Sequence, residues 1–231
     1  MKVILYTSLY PEKNEFRKNE ILVSLKNNIN NKNIDKIIIL NEGFDDAIIN
    51  NKKITNIPTS QRPTFAYFEQ FLDENAINII TNNDIWFDNS LSKLKWYFIA
   101  KGDFLSLTRT EKDGQLYRGN WGDSQDTWIF LGKPLPLKKC DFYLGKLGCD
   151  NKINYIFYKG GYRVLNPCKS IKTYHEHLSN HRTYTEAERI TGEYLFAHPI
   201  NFFQFQIARF VLRKLNSMRL NHIENLDDYK K

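Results

Sequence analysis

The stretch Ile79-Ile80-Thr81-Asn82-Asn83-Asp84-Ile85-Trp86-Phe87-Asp88 changes character in its middle, where an apolar, β-branched run gives way to two amides and a carboxylate. Short continuous apolar runs mark strands buried on both faces. Polar residues at the carboxyl end of such a strand lie where open α/β sheets take their ligands. Asp84, with Asp88 one short step further on, then offers hard oxygen ligands of the kind that hold magnesium or manganese, and through them a phosphate. Asn and Asp also favour turns, so the same residues read as a plain connection too.

A second carboxylate stands at the start of a helix. Asp150 precedes Ile153, Ile156 and Phe157, which share one helical face, and Gly160-Gly161 ends the run. A carboxylate there caps the helix, or serves as a general base at a pocket floor. The helix dipole favours its charged form, so its pKa is expected to be low. Asp126, in Gly122-Asp123-Ser124-Gln125-Asp126-Thr127-Trp128, is the rival base. In Tyr174-His175-Glu176-His177, extended backbone would point both histidines to one face. With no cysteine and no third histidine on that face to complete a zinc site, one of them helping Asp84 hold a metal is the better reading. Trp121, Trp128 and Tyr117 are amphipathic plates for a ligand, or ordinary packing.

The elements that must position these groups follow from hydrophobic periodicity. Val3–Tyr6 and Ile37–Leu40 read as buried strands, with Thr7-Ser8 and Asn41-Glu42-Gly43 past their ends. Between them Ile21, Leu22, Leu25 and Ile29 recur at helical spacing, and the Asn-rich tract 27–33 ends that helix. Strand, helix, strand at this spacing is a βαβ unit and implies a parallel sheet. Lys53–Ile57 is a weaker strand. Pro63 is placed to open a helix carrying Phe65, Phe68, Phe71 and Leu72, which would set Arg62 beside an anion-favouring helix N-terminus. A short helix follows Asp88, marked by Leu91, Leu94 and Phe98. Asp103–Thr108, Asp126–Leu131 and Tyr162–Pro167 read as strands, and Thr110–Gly122 as a loop over the site. From Thr183 the chain reads as mostly helical. There Phe203, Ile207, Val211 and Leu215 form a stripe among Arg209, Arg213, Lys214 and Arg219. Such a helix packs its stripe on its own domain, in which case Val211→Asp unfolds the protein, or it lies on an anionic membrane face.

Composition narrows the class. At 231 residues, 42% hydrophobic and 14% aromatic, the chain suits one large globular domain or a domain with an appendage. The net charge of +7 favours an anionic partner, and without an arginine-rich arm or a nucleic-acid motif no nucleic acid is expected. Three cysteines without a C-x-x-C pattern speak against a disulfide framework or a zinc knuckle, and for a reducing compartment. The N-terminal apolar run is too short for a secretory signal, and no stretch reaches the ~20 apolar residues of a membrane span. The expected location is the cytoplasm, or the inner face of a membrane if the basic helix docks there.

In this order the motifs resemble the GT-A glycosyltransferases, in particular family 2-like members, over roughly residues 1–180. Asn82-Asn83-Asp84 is similar to their strand-end D-x-D motif. Cys149-Asp150-Asn151 through Gly160-Gly161-Tyr162-Arg163-Val164-Leu165-Asn166-Pro167 is similar to their E-D helix start and the R/K-x-x-G-Y-x-V segment beyond it. Asn82 replaces the first D-x-D acid, and Cys149 replaces the acid before Asp150. The resemblance implies an α/β, GT-A (Rossmann-like) fold with a mostly parallel central sheet flanked by helices. It implies a nucleotide-sugar-binding and catalytic domain over 1–180 and a C-terminal helical extension over 181–231. It further implies an inverting transfer from a nucleotide-diphosphate sugar to a glycan or lipid-linked acceptor, as in surface polysaccharide synthesis. Thr7, Ser8, Glu42, Arg62, Asn82, Asn83 and Asp84 would lie at the donor. Manganese or magnesium would sit on Asp84 with His175 or His177, and Asp150 or Asp126 would act as base. A sugar-nucleotide nucleotidyltransferase lacks support, because Thr7–Pro11 has no glycine. A non-catalytic carbohydrate- or nucleotide-binding domain stays open through Asn82 and Cys149.

Overall fold

The computed structural model describes residues 1–96, 99–111, 113–117, 121–176 and 186–222. The runs of Ile, Leu and Val form β1 (Val3–Leu9), β2 (Lys36–Asn41), β3 (Ile54–Pro58) and β4 (Ile77–Thr81), with α1 (Glu15–Asn30) between the first two. β5 (Ile85–Phe87) and α2 (Lys93–Trp96) follow, then β6 (Asp103–Leu107), β7 (Thr127–Leu131), α3 (Cys149–Lys159), β8 (Arg163–Leu165), β9 (Thr173–His175) and α4 (Phe202–His222). The central sheet has seven strands in the order β3-β2-β1-β4-β7-β6-β8. β3, β2, β1 and β4 are mutually parallel, and β7 runs against both β4 and β6. The expected mostly parallel α/β sheet flanked by helices is therefore present.

Both faces of this sheet are covered, so its strands read as continuous apolar runs rather than alternating ones. Val3, Leu5, Ile37, Ile39, Ile77 and Ile79 face a layer containing Ile21 and Leu25 of α1 and Phe205 of α4. Ile4, Tyr6, Ile38, Leu40 and Ile80 face the other layer, with Phe65, Phe68 and Phe157. β5 and β9 form a separate antiparallel pair with Ile85 opposite His175. The Asn-rich tract ties α1 to that pair. Asn28 donates to the Ile85 carbonyl and accepts from the Phe87 amide, and Asn31 donates to the Phe87 carbonyl.

Two local expectations fail for physical reasons. The segment after Pro63 is not an α-helix. The amides of Phe65 and Ala66 donate to the carbonyls of Phe142 and Cys140, so only a tight three-residue-per-turn coil forms over Ala66–Phe71. That coil still buries Phe65 and Phe68, which are three apart and so stack on one side. Arg62 consequently lies at no helix N-terminus. Among the described residues of the C-terminal stretch, helix is confined to a short turn at Glu186–Glu188 and to α4. Residues 189–201 run extended across the body, with the Ile190, Leu195, Ala197 and Ile200 amides bonded to the carbonyls of Leu147, Asn151, Gly122 and Asn166.

The stripe read on α4 is also turned away from the core. Phe203, Ile207 and Val211 are 73%, 50% and 46% exposed. Phe205, Ala208 and Leu212 pack inward instead. Arg209 is drawn in with them by Asp103, whose oxygens pair with Arg209 Nε at 3.0 Å and Arg163 Nε at 2.7 Å. Phe205→Ala should lower unfolding stability by about 3–5 kcal/mol, and Val211→Asp by no more than roughly 0.5. Urea titration of both variants checks the order, and the reverse ranking would contradict this placement of α4.

Candidate active site

The carboxyl ends of β1, β4 and β6 share one rim with the start of the reversed β7 and the first turn of α3. A cavity of about 410 Å³ opens there, lined by Ser8, Arg17, Arg62, Asn82, Asn83, Asp84, Arg109, Asp126, Asp150 and His175 among others. Most sequence-chosen residues are thus brought together. Thr7 and Glu42 are not among those lining it. The Thr7 hydroxyl donates to the Thr81 carbonyl, and Glu42, raised in pKa by burial against the opposing charge of Arg62, continues the ladder past β2. Asp88 caps the turn that follows it, accepting from Ser90 N and the Tyr174 hydroxyl, so it offers no second ligand beside Asp84. His177 lies outside the described residues. Trp128 is fully buried against Phe65 and is core rather than a sugar plate, while Trp121 is exposed. Tyr117 lines the cavity, with the Arg109 guanidinium 3.8 Å from its ring centre.

Asp84 sits in the turn between β4 and β5 and is 8% exposed. Its Oδ2 receives two donors, Arg17 NH2 at 2.7 Å and His175 Nε2 at 2.8 Å. Arg17 reaches it from the first turn of α1, where NH1 also pairs with buried Glu20 at 2.7 Å. Burial works to raise the Asp84 carboxyl, but the hydrogen bond and charge of His175, with those of Arg17, outweigh it and hold the group below the ordinary carboxylate range. Burial likewise opposes a charged His175, and Asp84 overrides it upward.

Asp126 is pinned from two sides. Asn82 Nδ2 donates to its Oδ1 at 2.9 Å, and Arg109 NH1 meets its Oδ2 at 3.0 Å. Asp150 is held differently. It lies one residue inside α3, whose cap is Gly148 in the left-handed region at φ 77°, where a Cβ would meet the Tyr194 hydroxyl at 2.7 Å and the Ile190 carbonyl at 2.9 Å. Asp150 Oδ2 accepts from the Gln125 amide and Oδ1 from its neighbour Asn151, both at 3.0 Å, and no cation pairs with it among the described residues. Burial pushes its carboxyl up to about 7, against the lowering by the Gln125 amide and with help from the charge of Asp126. The low pKa expected from the helix dipole is overturned, because desolvation at the cavity wall outweighs one turn of oriented amides.

Arg17, Arg109, Lys146, Arg189 and Gln125 were not singled out from the sequence. Arg17 follows β1 and Arg109 follows β6, so the strand-end rule that picked Asp84 would have found both had it been applied to cations.

No protein-family model matches the chain, and no curated protein matches it. Solved structures do. A mannosyltransferase from Pyrobaculum calidifontis, in complex with GDP-Man and Mn2+, superposes with a TM-score of 0.50 at 15% identity, over 72% of this chain and 54% of that one. S. aureus TarS superposes at 0.51 and 13% identity over 76% and 36% of the two chains, and its residue 1–349 form at 0.51 and 14% over 76% and 60%. This chain therefore spans between about a third and three fifths of those proteins' lengths. The fold is that of the GT-A nucleotide-sugar transferases.

An Asp150 carboxyl that titrates near 7 in the fold, against 3.8 as the ordinary value, stabilises the native state fully only below 3.8, and that contribution is lost as pH rises through 7. Asp150→Asn removes the titration. Its melting temperature should exceed that of the wild type by more at about pH 8.5 than at about pH 5. Equal differences at both pH values would contradict the raised carboxyl.

Proposed function

We propose that this chain transfers a sugar from a nucleotide-diphosphate sugar to a hydroxyl acceptor with inversion at the anomeric carbon. The observation that carries the reading is Asp150, a cavity carboxylate bonded only by backbone amides, with a pKa of about 7. A base of that strength is half ionised at neutral pH and close to the optimum for taking a proton there. The acceptor oxygen attacks the anomeric carbon while its proton passes to Asp150. The bond from that carbon to the phosphate oxygen breaks, and its electron pair leaves with the nucleoside diphosphate. Asp126, engaged by Asn82 and Arg109, positions rather than accepts. It fixes Arg109 over Tyr117 and so builds a flat wall for a sugar ring.

The metal expected at Asp84 meets a poor donor set. One carboxylate is present, its Oδ2 already bridges Arg17 and His175, and its Oδ1 is buried without a partner. No cluster of three or more His, Cys, Asp or Glu side chains suits an ion among the described residues. The steps above are written without one.

Asp150→Asn should keep nucleoside-diphosphate binding and lose roughly 10²–10⁴-fold in turnover, while Asp126→Asn loses less and acts through acceptor affinity. In the wild type, kcat/KM should fall as pH drops below about 7. Nucleoside-diphosphate release from a panel of sugar nucleotides, with titration calorimetry on both variants, makes the measurement. Normal turnover in Asp150→Asn would remove it as the base. Binding without turnover of any donor in the wild type would instead favour a non-catalytic sugar-nucleotide module.

The outward face of α4 supports a lipid-linked acceptor, as in surface polysaccharide synthesis at the inner face of a membrane. Phe203, Ile207, Phe210 and Val211 recur there at i, i+4, i+7 and i+8, all exposed. The sequence from 202 to 222 carries Arg209, Arg213, Lys214 and Arg219 and no acidic residue. No helix is long and apolar enough to cross a membrane among the described residues. An interfacial helix of this kind binds through its buried apolar area and its attraction to anionic lipid. The protein should sediment with anionic vesicles and not with zwitterionic ones, and Phe203→Ser with Phe210→Ser should abolish sedimentation. Sedimentation unchanged in the double variant would contradict the contact.

A further inference from the structure

Resting on the transferase reading above, we propose that the donor's diphosphate is held by guanidinium groups, Arg17 and Arg62, and that the cavity binds it without a divalent ion.

The argument begins at Asp84, the position where a metal would have to bind. Magnesium or manganese sits about 2.1 Å from its ligand oxygens and prefers several oxygen donors around it. Asp84 Oδ2 already receives N–H groups from Arg17 at 2.7 Å and His175 at 2.8 Å. An ion on that oxygen would lie within about 5 Å of a guanidinium carbon-nitrogen fork and beside a histidine. The Arg17 guanidinium would be repelled by it and would have to be displaced from a buried carboxylate. The other oxygen, Oδ1, is buried and partnerless, so it offers nothing to a ligand in the cavity without rearrangement. Asn82 and Asn83, the other side chains of the motif, are held through their Nδ2 groups on Asp126 Oδ1 and the Ser8 carbonyl, so beside Asp84 they offer an ion only neutral amide oxygens. The site is therefore already charge-balanced by protein cations at the spot where an ion would otherwise do so.

What the cavity does offer an anion is guanidinium. Arg17 lines it from the first turn of α1, directly after the β1 tip, and burial is outweighed by Asp84 and Glu20 in keeping it charged. A guanidinium carries five N–H donors. The bonds to Glu20 and Asp84, with the adjacent Tyr10, leave donors over for a phosphate oxygen. Arg62 faces Arg17's cavity from the loop before the Ala66–Phe71 turn. Its NH2 donates to the Leu144 carbonyl at 2.6 Å, and its plane lies 5.3 Å from the centre of the Tyr143 ring. Neither contact is anionic, and although the charge of Arg62 acts on Glu42, no salt bridge joins the two among the described residues. Arginine forks match phosphate geometry with paired N–H bonds, and their positive charge serves the leaving diphosphate as it accumulates electrons. The two roles differ. Arg17 takes the metal's place on Asp84 and presents its outer edge, while Arg62 supplies charge not already spent on a carboxylate.

The test is calorimetric binding of inorganic pyrophosphate, which carries the diphosphate without a base, and of UDP, GDP, CDP and ADP in turn. Each titration is run with EDTA and, for the nucleotides, with excess Mn2+. The expected result is affinity equal within about twofold in the two conditions. Arg62→Met should weaken binding at least tenfold, and Arg17→Lys should weaken it while circular dichroism and melting temperature show the fold retained. Arg62 is exposed, so its variant keeps the test open if Arg17→Lys unfolds. Binding that appears only with Mn2+ would overturn the inference and leave the transferase reading standing. Affinity unchanged in both variants would overturn the guanidinium assignment. No binding of any probe in either condition would overturn the inference together with the transferase reading on which it rests.

Discussion

The contact between Arg17, Asp84 and His175 is the constraint on which the cavity depends. It joins the first turn of α1, the turn after β4 and the last residue of β9, three segments far apart in sequence. α1 is further tied to β5 by the side-chain amides of Asn28 and Asn31, and β5 pairs with β9. Buried charges of this kind are costly to desolvate, and they persist only when every member is paired. Glu20 behind Arg17 completes the pairing on the helix side. The same contact therefore fixes the floor of the cavity and bears on its charge, because the Asp84 carboxylate is already paired with the Arg17 guanidinium.

The cavity's aspartates share a wall and yet are placed in opposite states. Asp84 is held charged by two donors on one oxygen, whereas Asp150 is desolvated with backbone amides alone for company and rises to about 7. Pairs of titratable groups pushed apart by their surroundings are the usual signature of divided chemical labour. Here the division separates a charged, paired carboxylate from one whose pKa is raised to about 7. Asp126 falls between them, fully engaged by Asn82 and Arg109, and contributes to Asp150 chiefly through its negative charge.

The sheet was legible because burial on both faces leaves continuous apolar runs, and the runs at Val3, Ile37 and Ile77 have no other sensible reading. The strand-tip rule pointed to Asn82–Asp84, and the structure sets these in one cavity with Ser8, Asp126 and Asp150. What failed was everything that depends on a distant partner. The amides after Pro63 looked free to wind a helix, but the carbonyls of Phe142 and Cys140 take them. Arg209 looked like a solvated face, but Asp103 lies buried beneath it, so α4 is rotated and the stripe at spacing four points outward. Asp150 looked like a helix-start carboxylate of low pKa, and only the packed cavity wall reverses that. Nothing in the sequence around Asp84 announces Arg17, its ion-pair partner.

The reversed strand β7 explains why so many of these groups meet. In a wholly parallel sheet only carboxyl ends of strands would reach the rim. By running against β4, β7 brings its own beginning there, with Thr127 opposite Thr81. Asp126 and Gln125 are then carried to the same edge as Asn82. The Asn82 amide bonds the Asp126 carbonyl at 3.1 Å, its side chain bonds the Asp126 carboxylate, and Gln125 holds Asp150. One antiparallel register thus couples the turn that carries Asp84 to the loop that positions Asp150. A shift of that register by one residue would turn each side chain on β7 to the other face, burying Thr127 where Trp128 now fills the core and pulling the Asp150 contact away. The separation of the paired Asp84 from the raised Asp150 is consequently a property of the sheet's topology, and local sequence around either aspartate could not have specified it alone.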